Sequence, residues 1–439
     1  MMNNIHKITI LFLFSFSIGF SQEKLTKEDA INLALENNYG IQIAKNKVKI
    51  AENNASIYNS GFLPKVTASA GANYNNNSSE FTSQNGDVSE TNDAESKLYN
   101  ASIGLNYTLF DGLGRTYNYK KLKEAYNLSE LEAQAIIENS VLQIFTIYYD
   151  VAQLTEDELN ILESLKISKQ RLKRAELSFD YGQSTKLHVL NAEVDVNNDS
   201  IRYINTQRFL ANSKRDLNLL LGRTITNDFT VDTGISFNLI FDYQNLLEKA
   251  KSHNIEILKV EKSIVLSNFD TKINKSDLFP TLNFNSSYGF NKYDYDLTFA
   301  NSEQLSKGIN AGVSLNWNLF DGGNTKTRIQ NSKITADNLQ VQKELIENEL
   351  ERSIANALEI YNNALFILKA EKKNVETNKR NFSRTEEQFK LGQITSIEFR
   401  QAQVNLLNAQ SNLNSAKYDA KNAELKLLQL SGELLSQEF

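Results

Sequence analysis

Two prolines, Pro64 and Pro280, punctuate the chain, and each closes a phrase of the same form: Gly61-Phe62-Leu63-Pro64 and Asp277-Leu278-Phe279-Pro280. A chain of 439 residues would carry about 22 prolines at average usage, so helix breakers have been excluded nearly everywhere else. The paired phrases mark a duplication. They lie 216 residues apart, and the spacing holds upstream, where Ile31, Ala34 and Asn38 match Leu247, Ala250 and Asn254. Downstream, Leu109-Phe110-Asp111-Gly112 recurs 210 residues later as Leu319-Phe320-Asp321-Gly322, an offset shared by Gly182 with Gly392 and by Gly222 with Gly432. The change of offset falls between proline and LFDG phrase, so that interval holds a loop free to vary in length.

Each half opens on a helical phrase. Thr26 with Asp29 three residues on, and Asp242 before Leu246 and Leu247, read as N-caps, and the helices are expected to run to the proline, which removes an amide donor. After each proline the apolar period changes to two. Val66, Ala68, Ala70, Ala72 and Tyr74 alternate with small polar residues, as do Ala101 to Leu109, Leu282 to Phe290 and Ile309 to Leu319. These four strands fit either a half-buried sheet on a soluble core or an outer-membrane barrel. The Asn, Ser, Thr and Gly of the opposing face suit a water-filled lumen, and no other strand-rich segment offers a sheet to pack against, which favours the barrel. Four strands cannot close one, and an open edge in lipid leaves backbone groups without partners, so two copies (eight strands) or three (twelve) must share it.

Beyond each LFDG phrase a segment of near-continuous helical pattern runs from about 113 to 179 and from 324 to 389. Ile354, Tyr361, Leu368, Val375, Phe382 and Phe389 are seven apart; the first half gives Ile144, Val151, Leu165, Leu172 and Phe179, broken at Glu158. Such a repeat predicts helices packed along a supercoiled seam, each about 100 Å long. Both end at a glycine turn (Gly182, Gln183, Ser184, Thr185; Gly392, Gln393, Ile394, Thr395), from which a shorter helix returns to Leu221 and Leu430. Thr395 with Glu398 reads as a capping box.

Other residue counts narrow the function. The absence of cysteine removes disulfides, thiolate sites and a lipidated N-terminal cysteine, and three histidines (His6, His188, His253) leave little material for a catalytic triad or histidine metal site. No enzyme activity and no cofactor are therefore expected. A net charge of −6 with interspersed signs argues against nucleic acid. Lys7, the apolar run Ile8 to Phe20 and small residues at Gly19 and Ser21 read as a signal peptide cleaved after Ser21. The expected organisation is a signal peptide, 1–21; a first repeat, 22–222, with strands 64–78 and 99–111; a connector, 223–241; a second repeat, 242–432, with strands 280–295 and 309–320; and a tail, 433–439.

Helix, proline, strand, variable loop, strand, FDG, long helix, glycine turn and return helix, in duplicate behind a signal peptide, resemble the TolC-like outer membrane efflux protein family. Leu25-Thr26, Glu28 to Ile31, Ala34-Leu35 and Asn38 carry the resemblance with the proline and LFDG junctions and both tips. It implies a mainly α protein with β: a homotrimer whose long antiparallel helices form a periplasmic α-barrel and whose four strands per chain form a shared 12-stranded barrel in outer-membrane lipid. It implies an exit duct of a tripartite efflux or type I secretion system, with a periplasmic adaptor and an inner-membrane RND, MFS or ABC transporter. By the same resemblance the constriction maps to Glu398, Gln401, His188 and Asn191, of which only Glu398 is acidic, and adaptor contacts map to the two tips. Pro64, Pro280, Asp111, Gly112, Asp321 and Gly322 are the helix–strand junctions. The rival is a secreted trimeric coiled-coil structural or adhesin protein, which does not explain strand pairs at equivalent points of a duplication.

Overall fold

In chain order the first half contains β1 (Glu23–Leu25), α1 (Lys27–Asn37), α2 (Tyr39–Asn54), β2 (Lys65–Thr82), β3 (Val88–Phe110), α3 (Gly114–Asp180) and α4 (Lys186–Leu220). After β4 (Phe229–Val231) the second half repeats the series as α5 (Tyr243–His253), α6 (Ile255–Ser276), β5 (Thr281–Tyr295), β6 (Glu303–Asn316), α7 (Asn324–Lys390) and α8 (Ser396–Leu430). The computed structural model describes residues 23–237, 240–295 and 303–436; the expected signal peptide, with His6, lies outside the described residues.

The opening helices do not run unbroken to the prolines. Thr26 caps α1 in a capping box with Asp29, but Asn38 stops it and restarts the chain as α2, its side-chain oxygen accepting the Ile41 amide at 3.0 Å. Asn254 separates α5 from α6 in the same way, accepting the Glu256 amide at 3.0 Å. The same two asparagines reach across the fold. The Asn38 amide donates to the Leu220 carbonyl at 2.7 Å and that of Asn254 to the Leu430 carbonyl at 3.1 Å, so each satisfies an orphan carbonyl at the end of a return helix.

Each return helix then ends in a Schellman turn. The Arg223 amide reaches the Asn218 carbonyl at 2.9 Å around Gly222 (φ 65°), and that of Glu433 reaches the Leu428 carbonyl at 2.8 Å around Gly432 (φ 76°). Both glycines touch the matching corner. A Cβ on Gly222 would stand 2.4 Å from the Asn37 carbonyl oxygen, and one on Gly432 2.8 Å from that of His253. The duplication is thus visible as one joint built twice.

The core lies at mid-height of the long helices. Val141, Ile144, Phe145, Tyr148 and Tyr149 of α3 pack with Leu25, Ala30 and Ala34, with Leu217 and Leu221, and with Tyr418, Leu425 and Leu428. In the second half Leu246, Leu247 and Ala250 pack on Leu350, Ile354 and Tyr361. The connector is not featureless: β4 pairs in parallel with β1, Glu23 opposite Phe229 and Leu25 opposite Val231. Tyr148 holds this pairing. Its buried hydroxyl donates to the Leu25 carbonyl and accepts the Asp232 amide, each at 2.9 Å.

The seven-residue seam of α7 is buried at Ile354, Tyr361, Leu368 and Val375. The break at Glu158 in α3 is met by a polar partner, the Gln207 amide of α4, at 2.9 Å. A second apolar series on α4, Leu187, Leu190, Val194, Ile201 and Ile204, keeps the same spacing but is exposed, with Ile204 63% accessible.

Candidate functional site

The strands form one antiparallel sheet, β2-β3-β5-β6. They run farther than the alternation predicts: β2 and β3 extend to Thr82 and back from Val88, and β6 starts at Glu303 rather than 309 and ends at Asn316 rather than 320. The extensions are polar on both faces (Asn75, Asn76, Asn77) or interrupted by Lys307 and Gly308, so hydrophobicity does not read them, whereas backbone pairing does not require it. After Asn316 the Trp317 indole donates to the Leu278 carbonyl at 3.1 Å and takes the chain off the ladder.

Residues directly opposite share a face, and the rungs alternate in character. Ala68, Ile103, Tyr288 and Ile309 make one rung; the next is Ser69, Ser102, Gly289 and Gly308. Farther down, Tyr107, Phe284 and Val313 alternate with Asn106, Asn285 and Gly312. The apolar face ends upward at a rung of Tyr74, Lys97, Asp294 and Glu303. Along β6 this face runs from Leu305 to Leu315, with Lys307 and, opposite Leu305, Lys292 confined to its two upper rungs; at about 3.3 Å per residue and a tilt of about 40° the span is roughly 25 Å. Neither face is covered: every residue of β2 is exposed, as is Ile309 at 73%. The outer edges of β2 and β6 have no strand partner among the described residues.

Below the sheet the LFDG phrases turn the chain into the long helices. Gly112 and Leu113 (φ 63° and 71°) and Gly322 and Gly323 (φ 70° and 91°) take left-handed backbone. The preceding aspartate then caps the helix from outside it. Asp111 accepts the Arg115 amide at 2.8 Å and its Nε at 3.1 Å; Asp321 accepts the Gly323 amide at 3.0 Å, the Thr325 amide at 2.7 Å and the Thr325 hydroxyl at 2.6 Å. The Thr325 hydroxyl, with the two amides, holds the Asp321 carboxyl below its ordinary range. Asp321→Ala should fray the start of α7, read as faster amide exchange over 324–327 with the rest of α7 unchanged.

At the far end, both tips are Schellman turns. The Gln183 amide meets the Ser178 carbonyl at 2.8 Å around Gly182, and the Gln393 amide meets that of Gln388 at 2.9 Å around Gly392. Ser184, Thr185, Ile394 and Thr395 complete the turns, which protrude, Gly182 and Gly392 having open space where a Cβ would stand. Glu398 is engaged in a capping box, accepting the Thr395 amide at 2.8 Å, and that amide holds its carboxyl below the usual range. His188, Asn191 and Gln401 are exposed near the starts of α4 and α8, and Gln401 donates to Asn405 at 2.8 Å. No hydrogen bond joins these four to one another among the described residues.

What the structure brings together instead is a buried polar cluster binding the second tip to the first hairpin. Arg400 of α8 makes two 2.7 Å bonds to the Asp199 carboxylate of α4. The Gln403 amide donates to the Ser164 carbonyl at 2.8 Å and to the Ser168 hydroxyl at 3.0 Å on α3. Arg171 pairs with Asp195 and donates to the Ser396 carbonyl at 3.2 Å, and Arg174 donates to the Lys390 carbonyl, also at 3.2 Å. Burial acts to raise the Asp199 carboxyl, but hydrogen bonds from Arg400 and Ser168 and the two guanidinium charges outweigh it and hold it below its ordinary range. The sequence carried one signal of this cluster: Asp199 occupies a heptad stripe otherwise made of Val189, Ala192, Thr206 and Leu210.

A family model described as outer membrane efflux protein matches residues 30–223 and 246–433. The outer membrane protein TolC of Vibrio cholerae serotype O1 is 23% identical over 389 residues, covering 86% of this chain and 84% of that protein. The alkaline protease secretion protein AprF of Pseudomonas aeruginosa is 20% identical over 414 residues, covering 92% and 84%. Among solved structures, the CmeC outer membrane channel of Campylobacter jejuni superimposes with a TM-score of 0.77 at 18% identity, covering 94% of this chain and 87% of that one.

Proposed function

The chain belongs to the outer membrane efflux protein family, an outer-membrane channel protein extending into the periplasm, and from that premise we propose that three copies assemble into the exit duct of a tripartite efflux or type I secretion system. A sheet with both faces exposed and both edges open, attached to helices of 67 residues, carries this reading. Three sheets give a closed barrel of twelve strands, with the apolar band toward lipid and the Asn, Ser, Thr and Gly face lining a wet lumen. At about 1.5 Å per residue the helices extend about 100 Å into the periplasm. The exposed heptad series on α4 supplies a seam for a neighbouring copy.

In this reading the tips at Gly182 to Thr185 and Gly392 to Thr395 meet a periplasmic adaptor, which joins the duct to an inner-membrane transporter of the RND, MFS or ABC type. Glu398, Gln401, His188 and Asn191 ring the periplasmic mouth, and the Arg400–Asp199 cluster holds that mouth narrow. The chain transports and does no chemistry. The secreted-adhesin alternative finds no support among relatives that are outer-membrane efflux and secretion proteins.

Full-length protein extracted in detergent and placed in planar bilayers should give discrete channel steps, and cross-linking should give a three-chain band. Recovery in the soluble fraction without conductance would overturn the duct.

A further inference from the structure

Where the sheet meets the helices, on the side continuous with the apolar face, lies a notch of about 370 Å³. Phe110, Leu113 and Phe279 give it apolar walls and are 40%, 51% and 55% exposed; Tyr117, Lys272 and Lys275 line it from the helical side. The cations there are in excess. Asp111 is taken by Arg115, Asp270 by Lys121 and Asp277 by Arg328, which leaves Lys272 and Lys275 with no ion pair among the described residues. Lys272 lies against rings only, 5.8 Å from that of Tyr117 and 5.2 Å from that of Phe269.

The duplication provides an internal comparison. At the positions matching Lys272 and Lys275 the first repeat has Ser56 and Asn59. Where the second LFDG phrase continues into Gly323 the first continues into Leu113, a leucine held at φ 71° with its side chain half exposed. A left-handed leucine costs about 1–2 kcal/mol against glycine, so strain is retained here to place an apolar side chain at the notch. Neither feature recurs at its counterpart in the other repeat, where Gly323 makes the same left-handed turn as Leu113 and Ser56 and Asn59 lie beyond the end of α2.

We infer that this notch binds an anionic phospholipid of the periplasmic leaflet, its phosphate against Lys272 and Lys275 and its acyl chains along Phe110, Leu113 and Phe279. Apolar walls facing the bilayer and paired ammonium groups on the water side match such a lipid in both parts. The inference rests on the membrane orientation proposed above.

The test uses full-length protein in a neutral detergent, with phosphatidylglycerol and phosphatidylcholine as probes and bound lipid counted by native mass spectrometry. Wild type should retain phosphatidylglycerol about tenfold over phosphatidylcholine. Lys272→Gln with Lys275→Gln should abolish the preference, and Lys272→Arg with Lys275→Arg should keep it. Channel conductance serves as the folding control and should be unchanged in both. Equal retention of the two lipids by a conducting wild type, a preference surviving in the glutamine variant, or displacement of the lipid by millimolar inorganic phosphate would each overturn the lipid site while leaving the duct standing. Absence of conductance in wild type would instead overturn the duct.

Discussion

Arg400→Gln should convert the channel from narrow to open, seen in planar bilayers as a larger and more persistent single-channel conductance. The guanidinium makes two 2.7 Å bonds to a carboxylate whose side chain is 6% exposed. Removing one partner of a buried pair costs about 3–5 kcal/mol, because the other charge is left desolvated and unpaired. That is a factor of about 10² to 4 × 10³ in the balance between docked and released tip. Two further variants isolate the cause. Arg400→Lys keeps the charge but not the fork, and should lie between wild type and Gln. Asp199→Asn with Arg400→Gln should show less than the sum of the single effects, the coupling expected of residues in contact. If Arg400→Gln leaves conductance unchanged while the protein still forms channels, the cluster does not hold the mouth.

Acid should act on the same contact. The Asp199 carboxyl is held below its unfolded value of about 3.8, so the stabilisation it contributes is complete well above that value and is lost as pH falls through the lower, folded-state pKa. Conductance should therefore be insensitive to this group from neutrality down to about pH 4 and rise only below that. In Asp199→Asn the acid-dependent rise should be absent.

The second large effect concerns the duplicated joint. Gly222→Ala and Gly432→Ala should prevent accumulation of folded protein in the outer membrane, whereas Gly182→Ala and Gly392→Ala should leave its level nearly unchanged. All four glycines have positive φ, so each substitution carries about 1–2 kcal/mol of backbone strain. Only the first two add a collision with backbone, at 2.4 and 2.8 Å, and no side-chain rotation relieves it. The added methyl would have to separate the end of a return helix from the corner held by Asn38 or Asn254. Membrane fractions assayed for heat-resistant oligomer give the measurement; equal yields for all four variants would refute the joint.

The sequence made these glycines visible as pairs, but not their different duties, because a tip and a joint use the same Schellman turn. Features that repeat locally were legible: the seam through Ile354 and Tyr361, the period-two strands, and the capping boxes at Thr26 and Thr395. Features made by distant contacts were not. Arg400 and Asp199 are 201 residues apart in sequence, and nothing near either names the other. The break at Asn38 was missed because asparagine inside an apolar series reads as a tolerated helix residue, whereas its backbone amide closes α1 on the Ala34 carbonyl and its side chain starts α2 and caps the end of α4. β1 and β4 are three residues each, too short for any period to show. The polar extensions of the strands carry no burial signal, since nothing covers either of their faces.

The uncovered sheet also bears on how the protein reaches its place. A lone chain entering the periplasm presents the outer edges of β2 and β6 as two templates for indiscriminate strand addition, and no strand among the described residues covers them. It cannot enter lipid first and find its neighbours later, because the hydrocarbon would meet unpaired amides and carbonyls on both flanks. In the proposed three-chain assembly, encounter between chains must therefore precede or accompany insertion. Maturation then scales more steeply than linearly with the supply of chains. A cell that halves synthesis would lose more than half of its finished channels, and a chaperone that shields strand edges would govern their number as firmly as the promoter does.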